Sequence, residues 1–286
     1  GVLVEAPAFA ILVETSGRDP SLTAYGGAVA CAHAFNDALG RAARDGSGGR
    51  SGTGDGDGRT AAGAGGRPAL LTTLWAMATT AQSVSDLCRT ARTAARTLAA
   101  TDSATREGAL HAIADALIAR TDEIIAANAR DMDAGREAGL SDALLDRLLL
   151  TPERVAGIAD GARQVAVLPD PVGELIDGGR LANGLELKKV RVPLGVVAIV
   201  YEARPNVTID AAVLCLKSGN ACVLRGSSSA AHSNAVLAGI AAQAAQESGL
   251  PAGSVSLVAG GGRDELAELA TQEGVVDLII PRGGGG

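Results

Sequence analysis

The 286-residue chain carries a formal net charge of -7, is 47% hydrophobic and holds only 2% aromatic residues. That length suits one large domain or two ordinary ones. The acidic balance argues against nucleic acid or an anionic membrane as a main partner, because both attract basic surfaces, and there is little aromatic surface on which bases could stack. Neither the cysteines (Cys31, Cys88, Cys215, Cys222) nor the histidines (His33, His111, His232) have metal-ligand spacing, so no metal is expected. The N-terminal apolar run lacks the basic start of a signal peptide, and no run of about 18 apolar residues could span a bilayer. These features favour a cytoplasmic protein, with Cys215 and Cys222 in apolar runs as inert core residues.

Residues 1–40 hold one strand-like apolar run and a candidate short helix, too little for a domain. Residues 41–68 are rich in glycine and nearly free of large apolar side chains, so they cannot offset the entropy of ordering their backbone. Asp55-Gly-Asp57-Gly faintly resembles a calcium loop but lacks its later ligands. Residues 1–76 are therefore expected to be a disordered extension with a Gly-rich linker, and Met77 a natural start.

A helical layer is expected over 77–171. Leu110, Ile113, Ala114, Leu117 and Ile118 form one apolar stripe, and Thr121 and Ser141 suit as N-caps. Thr151-Pro152-Glu153 supplies a cap, a first-position proline and an acidic first turn. The LPDP run at 168–171 ends the helices.

Residues 172–193 read as a hairpin whose Asn183-Gly184 signals a type I′ turn. Over 194–286 strands and helices alternate: strands at 195–201, 220–225, 254–260 and 275–280, helices at 208–219, 229–248 and 263–272. Continuously apolar strands joined by helices predict a Rossmann-like α/β parallel sheet, covered on both faces, with ligands at the strand carboxyl ends.

Those ends carry unusual residues: Tyr201-Glu-Ala203-Arg204-Pro205-Asn206-Val207, Arg225-Gly-Ser227-Ser228-Ser229, Gly260-Gly261-Gly262 and Pro281-Arg282-Gly283. None forms the G-x-G-x-x-G fingerprint. Arg225 and its serines put a fixed cation and hydroxyl donors before a helix N-terminus, where an anion is favoured. Taken alone, the serines read equally as helix caps, Arg225 as a surface charge, and the glycines and Asn206 as turn residues.

The run PLGVVAIVYEARPNVTIDAAVLCLKSGNACVLRGSSSAAHSN resembles the segment that marks the gamma-glutamyl phosphate reductase family of the aldehyde dehydrogenase superfamily. AANARDMDAGREAGLSDALLDRLLL, DPVGELIDGGRLANGLELKKVRVP and VDLIIPRGG are similar to the same family in the same order, so the resemblance covers about residues 80–286. It implies the aldehyde dehydrogenase fold, with residues 77–286 an incomplete NADP-binding domain, residues 172–193 part of an oligomerisation arm, and the catalytic domain absent.

The resemblance also implies an enzyme that uses NADPH to reduce gamma-glutamyl phosphate to glutamate-5-semialdehyde and phosphate, through a cysteine thioester, in the second step of proline biosynthesis. Asn206 matches the superfamily asparagine that helps to stabilise the oxyanion. Arg225 stands where many relatives have a lysine near the adenosine ribose, and Ser228 where NAD-preferring relatives place an acid; together they favour NADP. Ala203, Arg204, Pro205, Asn206, Ser227, Gly260–Gly262, Arg282 and Gly283 match cofactor-side positions. A homo-oligomer follows from the arm, and the upstream glutamate kinase is a candidate partner. The family's nucleophilic cysteine has no match here, so the chain is expected to be inactive alone. Two other readings stay open: a relative that oxidises a free aldehyde, and a non-catalytic nucleotide-binding module.

Overall fold

The computed structural model describes residues 2–3, 10–15, 83–259 and 262–282. Within the N-terminal extension, Val2–Leu3 (β1) and Ala10–Thr15 (β2) are the described stretches, each a strand. The linker, the calcium-like loop and Met77 lie outside the described residues.

Helix α1 (Val84–Leu98) starts at Ser83, whose hydroxyl accepts the Asp86 N–H, and it buries Val84, Cys88, Ala91, Ala95 and Leu98 along one stripe. Helix α2 (Ser103–Ala119) is capped by Asp102. Helix α3 (Thr121–Glu137) follows after Arg120 alone, so Thr121 is not the cap it was expected to be. It lies inside the helix and donates its hydroxyl to the carbonyls of Leu117 and Ile118. Helix α4 (Asp142–Leu148) begins after Ser141, whose side chain makes no cap bond. Helix α5 (Pro152–Ala166) begins as expected, with Thr151 accepting the Arg154 N–H at 3.2 Å.

Strands β3 (Leu175–Arg180) and β4 (Glu186–Val192) form the hairpin, and β2 pairs with the outer edge of β4 to give an antiparallel sheet β1-β2-β4-β3. The turn differs from expectation. The Gly184 N–H closes onto the Leu181 carbonyl at 2.8 Å, so Ala182 and Asn183 are central and Gly184 follows them in the left-handed region with φ 86°. A type I′ turn would place Asn183-Gly184 at the centre, both with positive φ.

The second sheet contains β5 (Val196–Tyr201), β6 (Ala221–Arg225), β7 (Val255–Leu257) and β8 (Leu278–Arg282), all parallel in the order β7-β6-β5-β8. The expected β8 run at 275–280 begins late because Val275 and Val276 belong to the turn after Gly274. The connections are α6 (Asn206–Lys217), α7 (Ala231–Glu247) and α8 (Arg263–Ala270), with a 3-10 turn at Ser228–Ala230 before α7. Right-handed crossovers put α6 and α7 on one face. The chain then reverses direction across the sheet, which sends α8 to the other face beside α1, while α2 and α5 pack behind α6 and α7. Both sheet faces are covered, and the core includes Ile199, Ile209, Leu216 and Leu224.

Two buried cations tie the helical layer to this sheet. Arg106 donates to the Lys217 carbonyl at 2.8 Å and to Asp170 at 2.7 Å. Lys217 Nζ donates to Glu107 and to the Ala166 carbonyl, each at 2.7 Å. Each therefore satisfies a carbonyl at a helix C-terminus, which carries partial negative charge.

Candidate nucleotide site at the strand carboxyl ends

Strand order reverses between β5 and β8, so a crevice is expected there and beside it, outside the carboxyl ends. Two groups of side chains occupy that edge.

The first lies where β6 and β7 end. A cleft of about 120 Å³ is lined by Gly226, Ser227, Ser228, Ala231, Asn234, Ala235, Leu257, Val258 and Ala259. Ser227 caps the 3-10 turn, its hydroxyl accepting the Ser229 N–H at 3.2 Å. Arg225, at the end of β6, donates to the Gly262 carbonyl at 2.9 Å and so spans from β6 to the start of α8. Beneath the cleft the hydroxyls of Tyr201 and Thr208 lie 2.8 Å apart, and Thr208 donates to Asn234 at 3.0 Å. This chain fixes Asn234 against Gly226, where an added Cβ would clash with Asn234 Nδ2 and meet the Tyr201 ring at 3.0 Å. Only glycine allows that approach. Burial holds the Tyr201 hydroxyl well above its ordinary pKa, so it stays a neutral member of the network.

The expected anion site at the N-terminus of α7 is already filled. Asp131, reaching from α3, accepts the His232 N–H at 3.1 Å and the Ser233 N–H at 2.7 Å, as well as the Ser233 hydroxyl at 2.6 Å. An internal carboxylate thus complements the helix dipole. Any ligand anion at this edge must rely on Arg225, the serine hydroxyls and the 3-10 turn. Ser227 serves as a cap, one of the two readings that the sequence left open for it.

The second group surrounds the switch between β5 and β8. Glu202–Pro205 turn tightly, with the Arg204 N–H donating to the Glu202 carbonyl at 2.7 Å, and deliver Asn206 as the first residue of α6. Asn206 Nδ2 donates to Asp210 Oδ2 at 3.0 Å. Asp210 keeps some surface open, yet the packing around its carboxyl raises the pKa to about 6, against the opposing effects of the Asn206 hydrogen bond and the charge of Arg282. Arg282 ends β8 in register with Tyr201; burial lowers its pKa, Asp210 acts to raise it and Arg204 to lower it. Arg204, Asn206 and Arg282 therefore share one corner, next to the corner that holds Arg225, Ser227 and Ser228. Ala203 and Pro205 shape the connecting turn, whereas Gly260, Gly261 and Gly283 lie outside the described residues.

Asp131, Asp210 and Asn234 were missed in the sequence. Asp210 had a signal, since it follows Asn206 by one helical turn on the same face. Asp131 and Asn234 had none. Cys88, Cys215 and Cys222 are buried, and burial pushes the Cys88 thiol up to about 11. The Cys215 thiol is also held well above its ordinary value, first by its hydrogen bond with Cys222. Among the described residues no His, Cys, Asp and Glu cluster could hold a metal ion, and no helix is long and apolar enough to cross a membrane.

A parallel sheet with this order, these layers and a side arm defines an aldehyde-dehydrogenase-type fold, and the sequence model of the aldehyde dehydrogenase family matches residues 68–283. The chain belongs to that family. More particularly, it is 52% identical over 206 residues to the gamma-glutamyl phosphate reductase of Kineococcus radiotolerans, covering 72% of this chain and 48% of the relative. The crystal structure of the Thermotoga maritima gamma-glutamyl phosphate reductase superposes with a TM-score of 0.69 at 35% identity, over 71% of this chain and 49% of that one. The Saccharomyces cerevisiae enzyme of the same name gives 0.64 at 34% identity, over 71% and 52%. The chain spans about half the length of the curated relatives it matches.

Proposed function

We propose that this chain supplies the NADP-binding part of a cytoplasmic enzyme that reduces gamma-glutamyl phosphate to glutamate-5-semialdehyde and phosphate, in proline biosynthesis. The observation that carries the reading is the cleft at the ends of β6 and β7, which has Arg225 at its border and no carboxylate among the described residues that line it. Gly226, Ser227, Ser228 and Ala231 line the cleft with small side chains and hydroxyls, so the residues present fit the group. Arg225, Ser227 and Ser228 would hold the adenosine side, with a 2′-phosphate met by the Arg225 guanidinium and the serine hydroxyls. A carboxylate at Ser228 would repel that phosphate, which is the reason to prefer NADP over NAD.

NADPH supplies the hydride. Arg204 and Arg282 would offer positive charge to a phosphorylated group at the corner between β5 and β8, and Asn206 would donate an N–H to the substrate carbonyl oxygen as it gains negative charge. Cys88, Cys215 and Cys222 are packed in the core and Cys31 lies outside the residues that match the family, so the thioester-forming cysteine is none of these, and the 286 residues alone bind cofactor without turnover. The β3–β4 arm exposes Leu175, Ile176 and Leu181, which suits pairing with a second copy.

Titration of the purified chain with NADPH and NADH, followed by calorimetry or ligand fluorescence, tests this. NADPH should bind about tenfold or more tightly. Equal affinities would overturn the NADP assignment, and NADPH oxidation by the chain alone with the acyl phosphate present would overturn the exclusion of its nucleophile.

A further inference from the structure

Asp210 takes no part in the reading above, yet it is the one described side chain that Asn206 bonds. It lies at the fourth position after Asn206 in the first turns of α6, so the helix itself sets the spacing between the amide and the carboxylate. A carboxylate can only accept, so when ionised it draws Nδ2 rather than Oδ1 of the amide. That choice fixes which way the Asn206 side chain faces and commits one of its two N–H groups, leaving the second for a ligand. An asparagine without such a partner could rotate and present its carbonyl oxygen, which would repel a developing oxyanion.

We propose that Asp210 is a positioning residue for the reduction, orienting the Asn206 amide as an oxyanion donor through the Nδ2–Oδ2 hydrogen bond. This rests on the assignment of Asn206 made above. Arg282, at the end of β8, carries the charge that acts on the Asp210 carboxylate across the switch between strands. The carboxylate thus bonds the donor side chain on α6 while it feels the charge at the adjoining strand end.

The test is a double-mutant cycle in the enzyme that contains this chain, measuring kcat, both KM values and NADPH affinity for Asp210→Ala, Asp210→Asn, Asn206→Ala and the double alanine variant. Asp210→Ala should lower kcat by about tenfold to a hundredfold, as removal of a group that orients a reacting side chain does, with NADPH affinity within about twofold. Asp210→Asn keeps an acceptor oxygen but adds a donor that can hold the Asn206 amide the other way round, so it should recover only part of that loss. In the Asn206→Ala background, Asp210→Ala should cost nothing further, because the group it orients is gone. Independent, multiplying losses would show that Asp210 acts on something other than Asn206 and would overturn the proposal. So would an Asp210→Ala enzyme with normal kcat beside a crippled Asn206→Ala. If Asn206→Ala itself keeps normal kcat, the oxyanion assignment fails first and takes this one with it. Retained NADPH binding in each variant separates these outcomes from misfolding.

Discussion

Asp131 on α3 holds the N-terminus of α7, its carboxylate accepting the Ser233 N–H at 2.7 Å and the Ser233 hydroxyl at 2.6 Å. A cap supplied by another helix fixes the angle at which α7 leaves the strand edge, and with it the position of the Ser227–Ser229 turn. Asp131→Ala strands buried donors in an apolar setting, so it should cost about 3 kcal/mol and lower Tm by roughly 6–12 °C. Thermal melts followed by circular dichroism would check this; an unchanged Tm would mean that water replaces the carboxylate at no cost.

Arg225 bridges β6 to the start of α8 at Gly262 and borders the proposed nucleotide cleft. Arg225→Ala should weaken NADPH binding by about tenfold or more while NADH changes by less than about threefold. Ser228→Glu should act in the same direction by repelling a 2′-phosphate. Equal weakening of both cofactors by Arg225→Ala would assign that arginine to holding the β6–α8 loop together.

Gly226 faces Asn234 and the Tyr201 ring with no room for a side chain. Because Thr208 anchors Asn234, an added methyl cannot simply push the amide aside. Gly226→Ala should destabilise by about 1–3 kcal/mol, measurable by urea unfolding, and should narrow the cleft enough to weaken NADPH. Tight NADPH binding by a stable Gly226→Ala protein would place the nucleotide elsewhere.

Asp210 has its carboxyl pKa raised to about 6 from 3.8 in the folded chain. The folded state then holds a proton that the unfolded chain has released, so this group's contribution falls as pH rises from about 4 to about 6 and is constant above that. Asp210→Asn mimics the protonated form. It should be more stable than the parent by on the order of 1–2 kcal/mol at pH 7.5, allowing for partial exposure, and the difference should close below about pH 4. Denaturant melts at three pH values would reveal it. A variant less stable at every pH would mean that attraction to Arg282 outweighs the burial.

Periodicity and turn residues by themselves determined the α/β class, the helical layer, the hairpin and nearly every element of the parallel sheet, because apolar spacing and glycine C-caps such as Gly219 are local signals. Arg225, Ser227, Ser228 and Asn206 stood out as site candidates for a related reason: each lies at a strand end or in the connection just after one, where such a sheet carries its ligands. Thr121 misled because a capping residue type can equally sit inside a helix when two helices run almost end to end.

What only the tertiary structure decided is which groups meet across long separations. Asp131 reaches the N-terminus of α7, Asn234 reaches Gly226, Arg282 acts on Asp210, and Ala10–Thr15 joins β4. Such pairings arise when helices and strands pack and bury their facing surfaces, so the partner is chosen by the geometry of the whole fold. A sequence can name a cation and an acid; it cannot say that they will share a corner.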